Sequence, residues 1–186
     1  DMQLYIHFCY ERSHKIMTRM MILDGNSLIH RAFYALPPLT SAEGLPTNAV
    51  HGFLTMLLRL QRQQPDYWVV VFDKSKATIR MEQYAQYKAH RKETPEALSP
   101  QFAYLKEILG IMKVPILELE GYEADDIIAT VTVQAVKQEM EVSIYTGDRD
   151  ALQLISPQTK IYLTKKGISE VECYDEEKLF EHCQLK

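Results

Sequence analysis

Four short apolar runs, residues 20–23, 67–72, 115–119 and 142–145, are each followed by acids: Asp24, then Asp73, then Glu123, Asp125 and Asp126, then Asp148 and Asp150. The run 67–72 is continuously apolar and rich in valine, the pattern of a strand buried on both faces of a parallel sheet. Helical spacing fills the intervals. Residues 26–36 carry Leu28, Ile29, Ala32 and Phe33 on one face and stop at Pro37 and Pro38. A second helix, capped by Thr47 or Asn48, carries Val50, Phe53, Leu54 and Leu57 and ends at Pro65 and Asp66. Further helices are expected over 102–112, opening near Ser99 and Pro100, and over 123–137. From Lys160 an edge hairpin turning at Lys166 and Gly167 and a last helix over 175–182 complete the chain. Strand and helix in alternation predict an α/β fold: a doubly wound, mostly parallel central sheet flanked by helices, in one domain. Ligands of such sheets bind outside the carboxyl ends of the strands, which is where the acids fall.

The 186 residues, 46% of them hydrophobic, suffice for one well-buried core. No apolar run approaches the ~20 residues of a membrane helix. The first nineteen residues mix Glu11 with Arg12, Lys15 and Arg19 and lack a secretory apolar stretch, so a cytoplasmic location is expected. Cys9, Cys173 and Cys183 are too few and scattered for a disulfide framework. His7, Cys9 and His14 have no zinc-ligand spacing and are read as incidental.

Taken singly, each acid has an ordinary explanation, because aspartate is a common turn residue and acids in a first helical turn are favoured by the helix dipole. Seven acids after four successive strands exceed turn chemistry. Like charges so crowded are tolerated around cations, and with no histidine or cysteine at ligand spacing the donors are all hard oxygens, which selects Mg²⁺ or Mn²⁺ over zinc. Seven acids are also more than one such ion uses. Two divalent ions are therefore expected, and a pair about 3.5–4 Å apart suits phosphodiester hydrolysis.

Net charge is −4, but its distribution matters more than its sum. Lys74, Lys76, Arg80, Lys88, Arg91 and Lys92 fall close together against a lone Glu82. If residues 79–91 are helical, Arg80, Tyr84, Tyr87, Lys88 and Arg91 share about a third of the circumference. That face is read either as a solvated surface whose tyrosines cover the core, or as a grip on nucleic acid in which cations hold phosphate and tyrosine stacks on a base.

Asp24-Gly25-Asn26-Ser27 with Arg31-Ala32-Phe33, Val71-Phe72-Asp73, Arg80, Tyr87-Lys88-Ala89-His90-Arg91, Glu123-Ala124-Asp125-Asp126 and Thr146-Gly147-Asp148-Arg149-Asp150 occur in order. From residue 20 to residue 186 the chain closely resembles the 5′→3′ exonuclease domain of bacterial DNA polymerase I, a PIN-like fold related to flap endonucleases. The resemblance implies a divalent-metal-dependent 5′ nuclease that removes 5′ ends, flaps and RNA primers in replication and repair. By motif it implies that Asp24, Asp73, Glu123 and Asp125 hold a first metal with Asp126 close by, and that Asp148 and Asp150 begin a second. Lys88 and Arg91, joined by Arg80, would neutralise the scissile phosphate as catalytic groups. Tyr87 would stack near the cut, with Tyr84 on the same DNA-binding face and Arg31 as a phosphate contact. The expected partner is DNA with 5′ ends or flaps, or an RNA–DNA hybrid, met by a monomer without a membrane.

Residues 1–19 match nothing in that family, and the helix-hairpin-helix-like module with the Asp pair that completes the second metal site is expected beyond residue 186. Three alternatives stand beside the nuclease: a catalytically incomplete fragment that binds DNA, a PIN-like ribonuclease sharing the acid cluster, and a receiver-like signalling domain. The last would leave the basic tyrosine face without a purpose.

Overall fold

The computed structural model describes residues 17–74, 93–165, 167 and 170–183. The basic segment with Arg80, Tyr84, Tyr87, Lys88 and Arg91, the extension with His7, Cys9 and His14, and Lys166 of the expected turn lie outside the described residues. Six strands, β1 (Arg19–Asp24), β2 (Tyr67–Val71), β3 (Ile116–Leu117), β4 (Glu141–Thr146), β5 (Thr159–Thr164) and β6 (Val171–Tyr174), form one sheet in the order β3-β2-β1-β4-β5-β6. All neighbours are parallel except β5 and β6, the antiparallel edge hairpin. The helices are α1 (Gly25–Ala35), α2 (Asn48–Gln61), α3 (Ser99–Ile111), α4 (Ala124–Lys137) and α5 (Glu176–Cys183). A 3-10 turn, Arg149–Leu154, lies in the crossover between β4 and β5. Among the described residues no helix is long and apolar enough to cross a membrane.

The two-residue period of the strands divides the core into two layers. Met21, Leu23, Val70, Phe72 and Tyr145 point to one face, where α1, α2 and α3 cover them. Ile22, Val69, Val71, Val142, Ile144 and Ile161 point to the other, where α4 brings Ala124, Ile128 and Ala135. Because each face of the central strands is buried, their sequences read as largely apolar runs, interrupted in β4 by the half-buried Ser143.

Two elements depart from the expectation. The run 115–119 pairs only at Ile116–Leu117, because it lies at the open edge beside β2 and turns away immediately. The second helix begins beside Thr47 as expected, but Thr47 makes no side-chain cap. Gln101 of α3, fully buried, takes that role: its Oε1 accepts the N–H groups of Ala49 (2.8 Å) and Val50 (3.2 Å), and its Nε2 donates to Asn48 Oδ1 (3.0 Å). A cap supplied from 52 residues away leaves no local signal.

Gly25 joins β1 to α1 against Phe72, which follows β2. A Cβ at Gly25 would stand 2.4 Å from the Phe72 ring, which is itself fully buried. Gly25→Ala is therefore expected to cost about 1–3 kcal/mol, the usual penalty of overpacking. A urea midpoint unchanged from the parent would show that the ring can move aside.

Candidate metal centre

The order of the strands reverses between β1 and β4, with β2 and β3 added on one side of β1 and β4 and β5 on the other. A crevice opens at the carboxyl ends of such a sheet at that switch. Here it is a cleft of about 730 Å³ lined by six of the seven expected acids: Asp24, Asp73, Glu123, Asp125, Asp148 and Asp150. They arrive from four separate parts of the chain.

Asp24 ends β1 and caps α1: its Oδ1 accepts the Ser27 N–H at 3.0 Å and its Oδ2 accepts the Thr146 hydroxyl at 2.7 Å. It is 4% exposed. Burial pushes its carboxyl up from the ordinary 3.8 to about 6, against the lowering by the Ser27 N–H and Thr146, while the nearby charges of Asp125 and Asp73 raise it further. A buried carboxylate facing two others is in the situation that a bound cation relieves.

Asp73, two residues beyond β2, is held from both sides. Its Oδ2 accepts from Asn26 Nδ2 and its Oδ1 from the Ala124 N–H, both at 2.6 Å, and its own N–H donates to Asn26 Oδ1 at 3.3 Å. Asp73 thus ties the first turn of α1 to the first turn of α4. Glu123 caps α4 in a reciprocal capping box with Asp126, whose carboxylate accepts the Glu123 N–H at 3.1 Å. Successive residues on a helix point about 100° apart, and of Asp125 and Asp126 only one lines the cleft. Asp125 does, and Asp126 instead lines a separate, largely apolar hollow with Leu117, Leu119 and Tyr122. Asp126 does not itself line the cleft and is tied to Glu123 at its rim by that hydrogen bond.

Across β1, the loop after β4 is fastened to α1. Gly147 donates its N–H to Ser27 Oγ (2.9 Å), and its carbonyl accepts from the Arg31 guanidinium (3.0 Å). A Cβ at Gly147 would lie 2.6 Å from Arg31 Nε and 2.9 Å from Ser27 Oγ, so only glycine permits this approach. Asp148 caps the 3-10 turn by accepting the Asp150 N–H at 3.0 Å. Arg31 is the only lysine or arginine among the described residues lining the cleft.

Asn26, Thr146, His30, Tyr34 and Glu93 also belong to the site or its supports, beyond the residues the sequence singles out. For α1 a signal existed. At 100° per residue, positions 26, 27, 30, 31 and 34 span about 140° of the helix, opposite the buried Leu28, Ile29 and Ala32. For Glu93 and Thr146 no periodicity pointed to the cleft.

The donor set consists of carboxylates, with amide and hydroxyl groups behind them, and suits a hard divalent cation. Among the described residues no three acidic, histidine or cysteine side chains form a ready-made cage for an ion. The acids form an open rim, with several of their oxygens taken by helix caps and neighbouring side chains.

A family model described as the N-terminal resolvase-like domain of 5′-3′ exonucleases matches residues 19–184. The DNA polymerase I of Geobacillus stearothermophilus is 44% identical over 164 residues, which is 88% of this chain and 19% of that protein. A protein of Aquifex aeolicus named 5′-3′ exonuclease is 47% identical over 141 residues, 75% of this chain and 49% of that one. The chain thus spans about a fifth of the first relative and half of the second. Among solved structures, T5 5′-exonuclease with bound divalent zinc ions superposes with a TM-score of 0.67 at 23% identity, covering 90% of this chain and 61% of that one.

Proposed function

The chain belongs to the family of 5′-3′ exonuclease N-terminal resolvase-like domains, and from that premise we propose that it is the metal-binding half of a 5′ nuclease hydrolysing phosphodiesters of DNA at 5′ ends and flaps. The observation that carries this reading is the convergence of six carboxylates from four chain segments on one cleft at the switch point of the sheet. Asp24, Asp73, Glu123 and Asp125 hold a first divalent ion, Mg²⁺ or Mn²⁺, and Asp148 and Asp150 contribute to a second. Ions bound there supply charge neutralisation at the phosphate and a water of lowered pKa.

The remaining roles fall to the chain itself. Asn26 fixes the Asp73 carboxylate, and α1 and α4 turn their positive N-terminal ends toward the acids, offsetting part of their repulsion. Arg31, anchored on Gly147, contacts a backbone phosphate of the entering strand. By motif, Arg80, Lys88 and Arg91 add phosphate contacts and Tyr84 and Tyr87 stack on bases. The substrate is DNA or the RNA–DNA hybrid of a primer, and the bacterial origin of the relatives supports a cytoplasmic site of action. The polymerase and exonuclease names of the relatives support DNA over the RNA of a PIN-like ribonuclease.

The test is a duplex with a 5′ flap, labelled at the 3′ end of the flap strand, incubated with the chain in Mg²⁺, Mn²⁺ or chelator. Ion-dependent cleavage near the flap junction is the expected result. A folded chain that binds the flap and ions without cutting would replace this reading by the second one, a DNA-binding domain without nuclease activity of its own.

A further inference from the structure

Thr146, the last residue of β4, is 1% exposed and sits beside the end of β1, where the strand register pairs Leu23 with Tyr145. Its hydroxyl makes two contacts of opposite sense. It accepts the Asp148 N–H at 2.9 Å and stands 2.7 Å from Asp24 Oδ2. An N–H can only donate, so the single hydroxyl proton is free to point at the Asp24 carboxylate.

We propose that Thr146 is a positioning residue that locks the carboxylate of Asp24 to the loop carrying Asp148 and Asp150, so that the acid group on β1 and the acid group after β4 bind divalent cations as one unit. The inference rests on the metal reading above and deepens it. The hydroxyl fixes two things together: the orientation of Asp24, whose other oxygen is already held by the Ser27 N–H, and the course of the backbone from Gly147 to Asp148. Gly147 is itself clamped by Ser27 and Arg31, so α1, β1 and the β4 loop form a closed ring of contacts in which Thr146 is the link nearest the acids. Valine matches threonine in shape and removes only the hydroxyl. The Asp148 N–H then loses its acceptor and Asp24 loses a donor. Serine keeps both contacts.

Mn²⁺ binding to the full 186-residue chain, followed by titration calorimetry and by loss of the free-ion electron paramagnetic resonance signal, tests this without any nuclease readout. Thr146→Val is expected to weaken Mn²⁺ binding about 10- to 100-fold, the usual effect of losing an outer partner of a metal ligand. Thr146→Ser should bind within about threefold of the parent, well below that loss. Thr132, a buried threonine of α4 whose hydroxyl, among the described residues, bonds the Ile128 carbonyl, serves as the control, and Thr132→Val should leave Mn²⁺ binding unchanged. If Thr146→Val does not fold, Thr146→Ala carries the same comparison. A folded Thr146→Val or Thr146→Ala chain that binds like the parent, or a serine variant as weak as the valine one, overturns the positioning role alone. A parent chain that binds no Mn²⁺ overturns the metal reading, and this inference with it.

Discussion

Asp73→Ala is expected to abolish metal-dependent cleavage of a 5′ flap while leaving the chain folded. Asp73 stands between the N-terminal ends of α1 and α4, one oxygen on Asn26 and the other on the Ala124 N–H, each with lone pairs left over for a cation. Replacement removes a carboxylate from the middle of the rim and frees Asn26 to turn. The loss should exceed about 100-fold, the upper end of what removing a mere supporting partner costs. The structural cost is limited to one helix-end hydrogen bond and one amide contact, on the order of 1–2 kcal/mol. Rates on the flap substrate, compared with urea unfolding of both chains, check the two halves. Cleavage within tenfold of the parent would remove Asp73 from the site.

Asp24→Asn is expected to separate stability from ion binding. The parent carboxyl, raised by burial from 3.8 to about 6, holds its proton more tightly folded than unfolded. The folded state therefore binds the extra proton between those values, and this group's contribution to stability falls as pH rises from about 4 to about 6 and stays low above. A rise of that size corresponds to about 3 kcal/mol at ~1.4 kcal/mol per pKa unit. Asparagine carries no charge, and its amide reorganises the contact with Thr146 at a cost of about 1 kcal/mol. Without metal, the variant should gain about 1–2 kcal/mol over the parent at pH 8, by that difference, and no such gain at pH 4. Mn²⁺ should stabilise the parent at pH 8, progressively less below pH 6, and the variant hardly at all. Melting curves at the two pH values, with and without Mn²⁺, measure all of this. A variant less stable than the parent at both pH values would mean that the carboxylate's hydrogen bonds outweigh its burial.

Much of this architecture is legible in the sequence because the physics is local. β1, β2 and β4 are buried on both faces, so their runs are largely apolar, and α1 is bounded by Asp24 and by Pro37 with no help from distant residues. The parallel order of strands then follows from the alternation, and with it the convergence of acids at one end. Where position depends on distant partners the signal fades. The cap of α2 comes from Gln101, the support of Asp24 from Thr146, and the orientation of Asp73 from Asn26. Each joins residues at least 47 positions apart. Asp126 illustrates another limit: beside Asp125 in sequence, it bonds the Glu123 N–H and borders a different hollow, which adjacency alone does not reveal. The β4 to β5 crossover, with its 3-10 turn capped by Asp148, lacked the apolar periodicity by which the longer helices were recognised.

The most direct measurement is diffraction from crystals of the chain equilibrated with Mn²⁺, using the anomalous signal to place the ions. The account predicts anomalous density in the cleft, bounded by Asp24, Asp73, Glu123 and Asp125, with a second and weaker feature toward Asp148 and Asp150. Density confined to acids elsewhere on the surface, with the cleft holding only water at ion concentrations that support cleavage, would contradict it.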